Sequence, residues 1–231
     1  MVSLQKSLII ICLGPTHMQL SVLATGSSGN CFYVQGNGSG FLIDAGISCA
    51  QISKRLESIG KEARDIKGIF VTHEHTDHVH GPSQAPILSN TDADLIAPDD
   101  SLEVAREAER WTETWDVDEE AFLEVTEGDE VAVGEFTVHV VETQDADATH
   151  PVGYVIDHES GTLFHAGDSK PSASFSALAQ AFDIDLGILA FGSVGMVPDK
   201  ETGEPVETKW YSDENEIAAA ADALALDRHV P

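Results

Sequence analysis

The sequence predicts a mixed α/β (α+β) domain built in layers, and three observations carry that prediction. Short apolar runs, bounded by Gly, Ser and Asn turns, recur along the chain and are interrupted by a few amphipathic helices. The polar clusters sit just after apolar strands, at sheet ends, where sites in layered α/β proteins gather. The chain has 231 residues, 42% of them hydrophobic. That is enough for the core of one domain and too apolar for a disordered chain.

The elements follow in order from Met18. "QLSVLAT", the turn "GSSGN", "CFYVQ", the turn "GNGSG" and "FLIDAG" read as a three-stranded meander. A helix comes next, with Ser48 as cap and Gln51 as its capping-box partner. Ile52, Leu56 and Ile59 share one face, and Gly60 ends it. "DIKGIFVTH" is a strand, "DLIAP" a short strand and "SLEVAREAERW" a helix. "DEVAVGEFTVHVVET" alternates around Gly134-Glu135 as a hairpin. "VGYVIDHESGTLFHAGDS" is a second hairpin, turning at Ser160-Gly161. "SFSALAQAF" is helical, "DIDLGILAF" a strand, and "SDENEIAAAADALAL" a helix that Asp213 and Glu216 can cap. "RHVP" opens one last strand.

With Met18 as the natural strand start, residues 1–17 are expected to be an N-terminal extension and residues 18–231 the domain. The extension has a lysine and then the apolar run "LIIICL", which imitates a signal peptide. It lacks an A-x-A-like cleavage site and is too short to span a bilayer.

The charge is far from balanced: 40 acidic residues against 12 basic, a formal net charge of −28. The acidity is spread along the whole chain. Proteins working in high salt use such surfaces to stay hydrated, which makes a halophilic setting the first reading. Repulsion of nucleic acid or anionic membranes is the competing one. The basic residues form no stripe for phosphates, so nucleic acid is disfavoured as a partner and a small-molecule substrate preferred. No stretch reaches transmembrane length, and a homo-oligomer is left open. Cys12, Cys31 and Cys49 contain no C-x-x-C pair, which argues against a disulfide framework or zinc ribbon and for a reducing, cytoplasmic compartment.

The chemistry concentrates in "VTHEHTDHVHG", directly after the apolar Ile69-Phe70-Val71. A solvated loop with accidental histidines is the bland reading. Against it stands the spacing H-x-H-x-D-H. After a strand, that spacing can point His73 and His75 at one ion and Asp77 and His78 at a second. Imidazole and carboxylate suit zinc, manganese or iron, and the lack of a nearby cysteine disfavours a purely structural zinc site.

That motif, downstream of "FLIDAG" and upstream of "LFHAGDS", resembles the metallo-β-lactamase superfamily over Met18 to Pro231. The resemblance implies an αββα four-layer sandwich, two mixed sheets flanked by helices. It implies two divalent metal ions, zinc first with manganese or iron(II) as alternatives. His73 and His75 would hold the first, Asp77 and His78 the second, with Asp168 bridging. A metal-activated hydroxide would be the nucleophile, with Asp77 orienting it and handling its proton. Asp44 would support the metal loop through hydrogen bonds, Thr72 similarly, while Glu74, Thr76 and His80 read as loop residues.

Two positions depart from the family pattern. The third histidine of the first site falls in "ETQDADATHPVGYVI", where Thr143-Gln144-Asp145 stands in place of S-H-D. His150 is the preferred donor, because the loop is long enough to deliver it, and Asp145 is the alternative. The last histidine is expected just after Pro231, so the chain reads as truncated there unless His229 substitutes. The first half resembles exonuclease-like members and the second half L-ascorbate-6-phosphate lactonase-like members. The expected function is a metal-dependent hydrolase of a small anionic ester, lactone or phosphorylated metabolite. A metal-dependent nuclease or phosphodiesterase is the alternative, and a non-catalytic metal-binding module a third reading.

Overall fold

Every residue of β3 (Cys31–Gln35) and β4 (Gly40–Ile43) is buried, a pattern that arises when a sheet is covered on both faces. Alternation sorts their side chains between two cores. Phe32, Val34, Phe41 and Ile43 enter one, while Tyr33 and Leu42 enter another. The computed structural model describes residues 9–13, 18–107, 115, 117–191, 195–198, 204–208, 212–224, 226 and 229–230.

The first sheet runs β1 (Ile9–Leu13), β2 (Met18–Ala24), β3, β4, β5 (Ile66–Phe70), β6 (Asp94–Ala97), β7 (Phe122–Glu124). Its first four strands are antiparallel and the remainder join in parallel. Parallel neighbours need crossovers, which α1 (Cys49–Glu57), α2 (Gly81–Leu88) and α3 (Asp99–Glu107) supply. Their Ile52, Leu56, Ile87 and Leu102 pack on Tyr33, Leu42, Ile69 and Leu95.

The second sheet contains β8 (Glu130–Val133), β9 (Phe136–Glu142), β10 (Val152–His158), β11 (Gly161–His165), β12 (Leu186–Ile188) and β15 (His229–Val230). Their spatial order is β15-β12-β11-β10-β9-β8. β12 and β15 join in parallel and the others are antiparallel. α4 (Ala173–Ala181) and α5 (Glu214–Ala223) cover the outer face, where Phe175, Leu178, Ile217 and Leu224 meet Val155 and Phe164. The inner faces of the two sheets meet through Phe41, Phe70, Phe136 and Tyr154, whose rings stack edge-on at centroid distances of 5.2 Å. The layers are therefore helix, sheet, sheet, helix, the expected αββα sandwich. A separate hairpin pairs β13 (Gly195–Pro198) with β14 (Pro205–Thr208).

Local signals explain most boundaries. The Ser48 side chain accepts from the Gln51 N–H at the start of α1, and Asp213 and Glu216 form a reciprocal capping box on α5. The first hairpin turns at Gly134-Glu135 as expected. The second turns at Glu159-Ser160, one residue earlier than the sequence suggests. The helix expected through Trp111 is seen to Glu107, and residues 108–111 lie outside the described set.

One expectation needs correction. Ile9–Leu13 does not lie outside the fold: it pairs antiparallel with β2 along its whole length, and Leu13 is buried between the sheets. Residues 1–8 and 14–17 lie outside the described set. A chain beginning at Met18 should therefore lose on the order of 2 kcal/mol of stability from the Leu13 side chain alone. The urea midpoint checks this, and a midpoint equal to that of the 231-residue chain would return Ile9–Leu13 to the status of an appendage.

Candidate metal centre

The carboxyl ends of β4 and β5 lie side by side, and Asp44 steps off β4 with φ +57°, a left-handed conformation that Asp tolerates better than most residues. Its N–H donates to the Phe70 carbonyl at 2.7 Å. Its carboxylate is fully buried and accepts from the Thr72 N–H (2.9 Å), the Thr72 hydroxyl (3.0 Å) and His78 Nδ1 (2.7 Å). A carboxylate only accepts, so the His78 proton sits on Nδ1 and Nε2 is turned toward Asp168 Oδ2, 3.4 Å away. Burial alone would raise the Asp44 carboxyl, but the charge and hydrogen bond of His78 hold it below the ordinary range. Burial alone would lower His78, yet Asp44 and Asp168 push it up to about 10. A metal at Nε2 would displace the second proton.

The loop Thr72–His78 is stitched to its neighbours by backbone bonds. Asn30 N–H donates to the Asp77 carbonyl (2.7 Å), Ala45 N–H to the His78 carbonyl (2.8 Å) and Gly46 N–H to the Asn30 carbonyl (2.9 Å). A Cβ on Gly46 would stand 1.8 Å from the Asp77 carbonyl oxygen, so only glycine permits this approach.

Two groups of donors result among the described residues. In the first, His73 Nε2 lies 3.1 Å from His75 Nδ1 and 3.8 Å from Asp145 Oδ2. His73 Nδ1 is engaged by the Thr72 hydroxyl at 3.0 Å, and His75 Nε2–H donates to the Asp147 carbonyl at 3.2 Å. Each ring therefore turns its other nitrogen inward. The second group is His73, His78 and Asp168, and within each group the ligand atoms lie within 4.8 Å of one another. Facing lone pairs need a proton or a cation between them. Burial, followed by the charge of His78, lowers the His73 pKa and so disfavours the proton. The donor set therefore fits a divalent ion.

Of the residues singled out from sequence, His73, His75, His78 and Asp168 converge. Asp77 sits at the margin, its Oδ2 3.8 Å from His78 Nε2. His150 does not join them. It is exposed, and its Nδ1 pairs with Asp100 at the start of α3, which raises its pKa. The reason is a strap: the Glu74 carboxylate accepts from both Thr149 N–H (2.9 Å) and the Thr149 hydroxyl (3.0 Å). Held there, the loop turns Asp145 inward and His150 outward. Asp145, the alternative to His150, is the one of the two whose side chain lies beside His73 and His75. Thr72 supports the loop as expected, and His80 bonds Ser83 at 2.7 Å instead of facing the centre. His229 contributes backbone to β15, opposite Gly187. Its side chain and Pro231 lie outside the described set.

Two residues escaped the sequence reading. Asn30 Oδ1 accepts from Gly26 N–H at 2.9 Å, which orients its amide so that Nδ2 meets His78 Nε2 at 2.9 Å and Asp77 Oδ2 at 3.5 Å. An Asn closing a Gly-rich turn directly before a buried strand was its only signal. The other is His165, 2% exposed at the end of β11. Its Nδ1 accepts from Gly167 N–H at 3.1 Å, and Nε2 has no partner among the described residues.

Burial pushes His165 down from 6.5 to about 4. Between those values the unfolded chain binds a proton that the folded chain refuses. Its contribution is thus fully present above pH 6.5 and is lost as pH falls toward 4, by on the order of 3 kcal/mol. Urea unfolding with chelator present, at pH 5 and pH 7, should show this slope in the wild type and a shallower one in His165→Gln. Equal slopes would remove His165 from the account.

Beside the cluster lies a cavity of about 370 Å³, lined among others by Asn30, Phe32, His78, His165, Asp168 and Phe191. No helix among the described residues is long and apolar enough to cross a membrane.

Comparison with known proteins places this geometry. The family model for the beta-lactamase superfamily domain matches residues 40–231. The exodeoxyribonuclease WalJ of Streptococcus pneumoniae is 46% identical over 61 residues, covering 26% of this chain and 23% of that protein. A metal-dependent hydrolase of the UPF0173 group from Pyrobaculum islandicum is 28% identical over 140 residues, 60% of this chain and 59% of that one. A probable L-ascorbate-6-phosphate lactonase, UlaG of Escherichia coli, is 26% identical over 150 residues, 56% and 40% respectively. The chain thus spans less than two thirds of the length of each of these relatives. Among solved structures, the metallo-β-lactamase fold protein YhfI from Bacillus subtilis superposes with a TM-score of 0.63 at 18% identity, over 96% of this chain and 82% of that one. That likeness establishes the fold alone.

Proposed function

This chain belongs to the beta-lactamase superfamily, and from that premise we propose that it is a metal-dependent hydrolase of a small ester, lactone or phosphorylated metabolite. The observation that carries the reading is the pair of three-donor groups sharing His73 beside a cavity of about 370 Å³. His73, His75 and Asp145 are assigned to a first divalent ion of the zinc, manganese or iron(II) class. Asp77 and His78 are assigned to a second, with Asp168 between them. Bound there, the ions would supply a water of lowered pKa and a positive charge to polarise the scissile carbonyl or phosphoryl oxygen. Asp77 would accept the nucleophile's proton and pass it to the leaving group, with Asn30 Nδ2 orienting its carboxylate.

The cavity volume suits a small ligand. Phe32, Ile188 and Leu189 give it apolar walls, Thr25 and Ser27 give hydroxyls, and among the described residues no Lys or Arg lines it. Bound beside it, the ions would themselves attract an anionic group on the substrate. The spread acidity supports work in a high-salt medium, and three cysteines with no C-x-x-C pair support a reducing, cytoplasmic one. The likeness to an exodeoxyribonuclease favours a second reading, phosphodiester hydrolysis in DNA on the same ions.

The test is a screen of the metal-reconstituted protein in high salt against lactones, small phosphodiesters and DNA. Metal-dependent turnover of a lactone or ester, with no retention of DNA as salt is lowered, is the expected result. Faster cleavage of DNA than of any small ester would replace the first reading by the second.

A further inference from the structure

We propose that Asp145 makes the first site a two-histidine, one-carboxylate centre and shifts its preference away from zinc, toward manganese(II) or iron(II). The inference rests on the reading of His73 and His75 as metal ligands. Its own basis is how firmly the structure commits Asp145 to that place. Asp145 Oδ1 accepts from the Asp147 N–H at 3.1 Å, leaving Oδ2 to face His73 Nε2. The Asp147 carbonyl holds His75, and the Glu74–Thr149 strap closes the loop behind it. The carboxylate is thus held in position by contacts on both sides and has no need to swing in.

The other candidates for a third donor are turned away. Gln144 is fixed through its backbone, its N–H donating to Ser169 Oγ at 2.8 Å and its carbonyl accepting from Lys170 N–H at 3.0 Å. It lines a different groove, beside α4 with Ala177 and Phe182. His150 is turned out to Asp100.

The exchange of a nitrogen for an oxygen has a direction. Zinc's advantage over manganese is largest with imidazole and thiolate and shrinks with carboxylate oxygen, a harder donor. Two imidazoles and one carboxylate with open positions are the donor set of non-haem iron(II) sites, and the same set also serves zinc in some hydrolases. Zinc remains a strong competitor in absolute affinity, so the claim concerns the ratio of affinities.

That ratio can be measured without any turnover. Wild type, Asp145→His and Asp145→Asn are equilibrated in chelator-buffered zinc or manganese, and bound metal is counted by mass spectrometry. Asp145→His should raise the zinc-over-manganese affinity ratio at least tenfold. Asp145→Asn, which keeps the shape and removes the charge, should weaken manganese at the first site by a similar factor while a second ion is still bound. A ratio altered less than twofold in Asp145→His, with metal retention still abolished by His73→Ala/His75→Ala, would overturn the inference and leave the metal site standing. Undiminished metal in that double variant would remove the site and the inference together.

Discussion

The double substitution His73→Ala/His75→Ala should strip the protein of metal, reduce hydrolysis by orders of magnitude and leave the fold in place. His73 belongs to both donor groups and His75 to the first, so the first ion loses two of its three ligands and the second loses a neighbour. The scaffold does not depend on them. Its inner core is built from Phe41, Phe70, Phe136, Tyr154 and their neighbours, and the loop is held by backbone bonds from Asn30 and Ala45. Removing the buried His73 and the half-buried His75, whose lone pairs face each other, also relieves a repulsion that only a cation or a proton offsets. Metal content by mass spectrometry and a thermal melt by circular dichroism give the two readouts. Full metal stoichiometry in a folded variant would end the assignment of this cluster.

The histidine cluster was legible because its geometry is local: H-x-H-x-D-H on one short loop after one strand places its own donors. The sandwich was legible for a similar reason. In β3 and β10 the neighbours along the strand divide between two cores, and this reads as unbroken apolar runs. What local pattern could not carry is the choice between His150 and Asp145. That choice is made by Glu74 gripping Thr149 across 75 positions of sequence, a contact between a half-buried and an exposed polar residue with no periodicity to betray it. α2 escaped for the opposite reason. Its "GPSQAPIL" offers Pro82 near the start and Pro86 inside, which read as breakers, yet it forms a helix under cover of the first sheet. β1 escaped because an apolar pentapeptide behind a lysine has more than one reading until its partner strand is known.

Asp44 should separate the fold from the metal chemistry when it is changed in two ways. Asp44→Ala leaves the Thr72 N–H and the His78 ring facing an empty, buried space, and the lost pair should cost about 3–5 kcal/mol. Alanine is also less at ease than aspartate at φ +57°. Asp44→Asn avoids both penalties. Its side-chain oxygen can still accept from Thr72, and asparagine tolerates the left-handed backbone. The amide N–H₂ of the variant, however, can only donate to His78 Nδ1, which forces the ring proton onto Nε2, the atom turned toward Asp168. Metal binding there would require the wrong tautomer to reverse. The asparagine variant is therefore expected to fold with a small loss in urea midpoint, yet to bind its second ion 10- to 100-fold more weakly, on the order of other losses of a carboxylate behind a ligating histidine. Calorimetric titration of the chelator-stripped protein reads that affinity directly. An asparagine variant that takes up the second ion as tightly as the wild type would mean that Asp44 braces the loop and has no hold on the His78 tautomer.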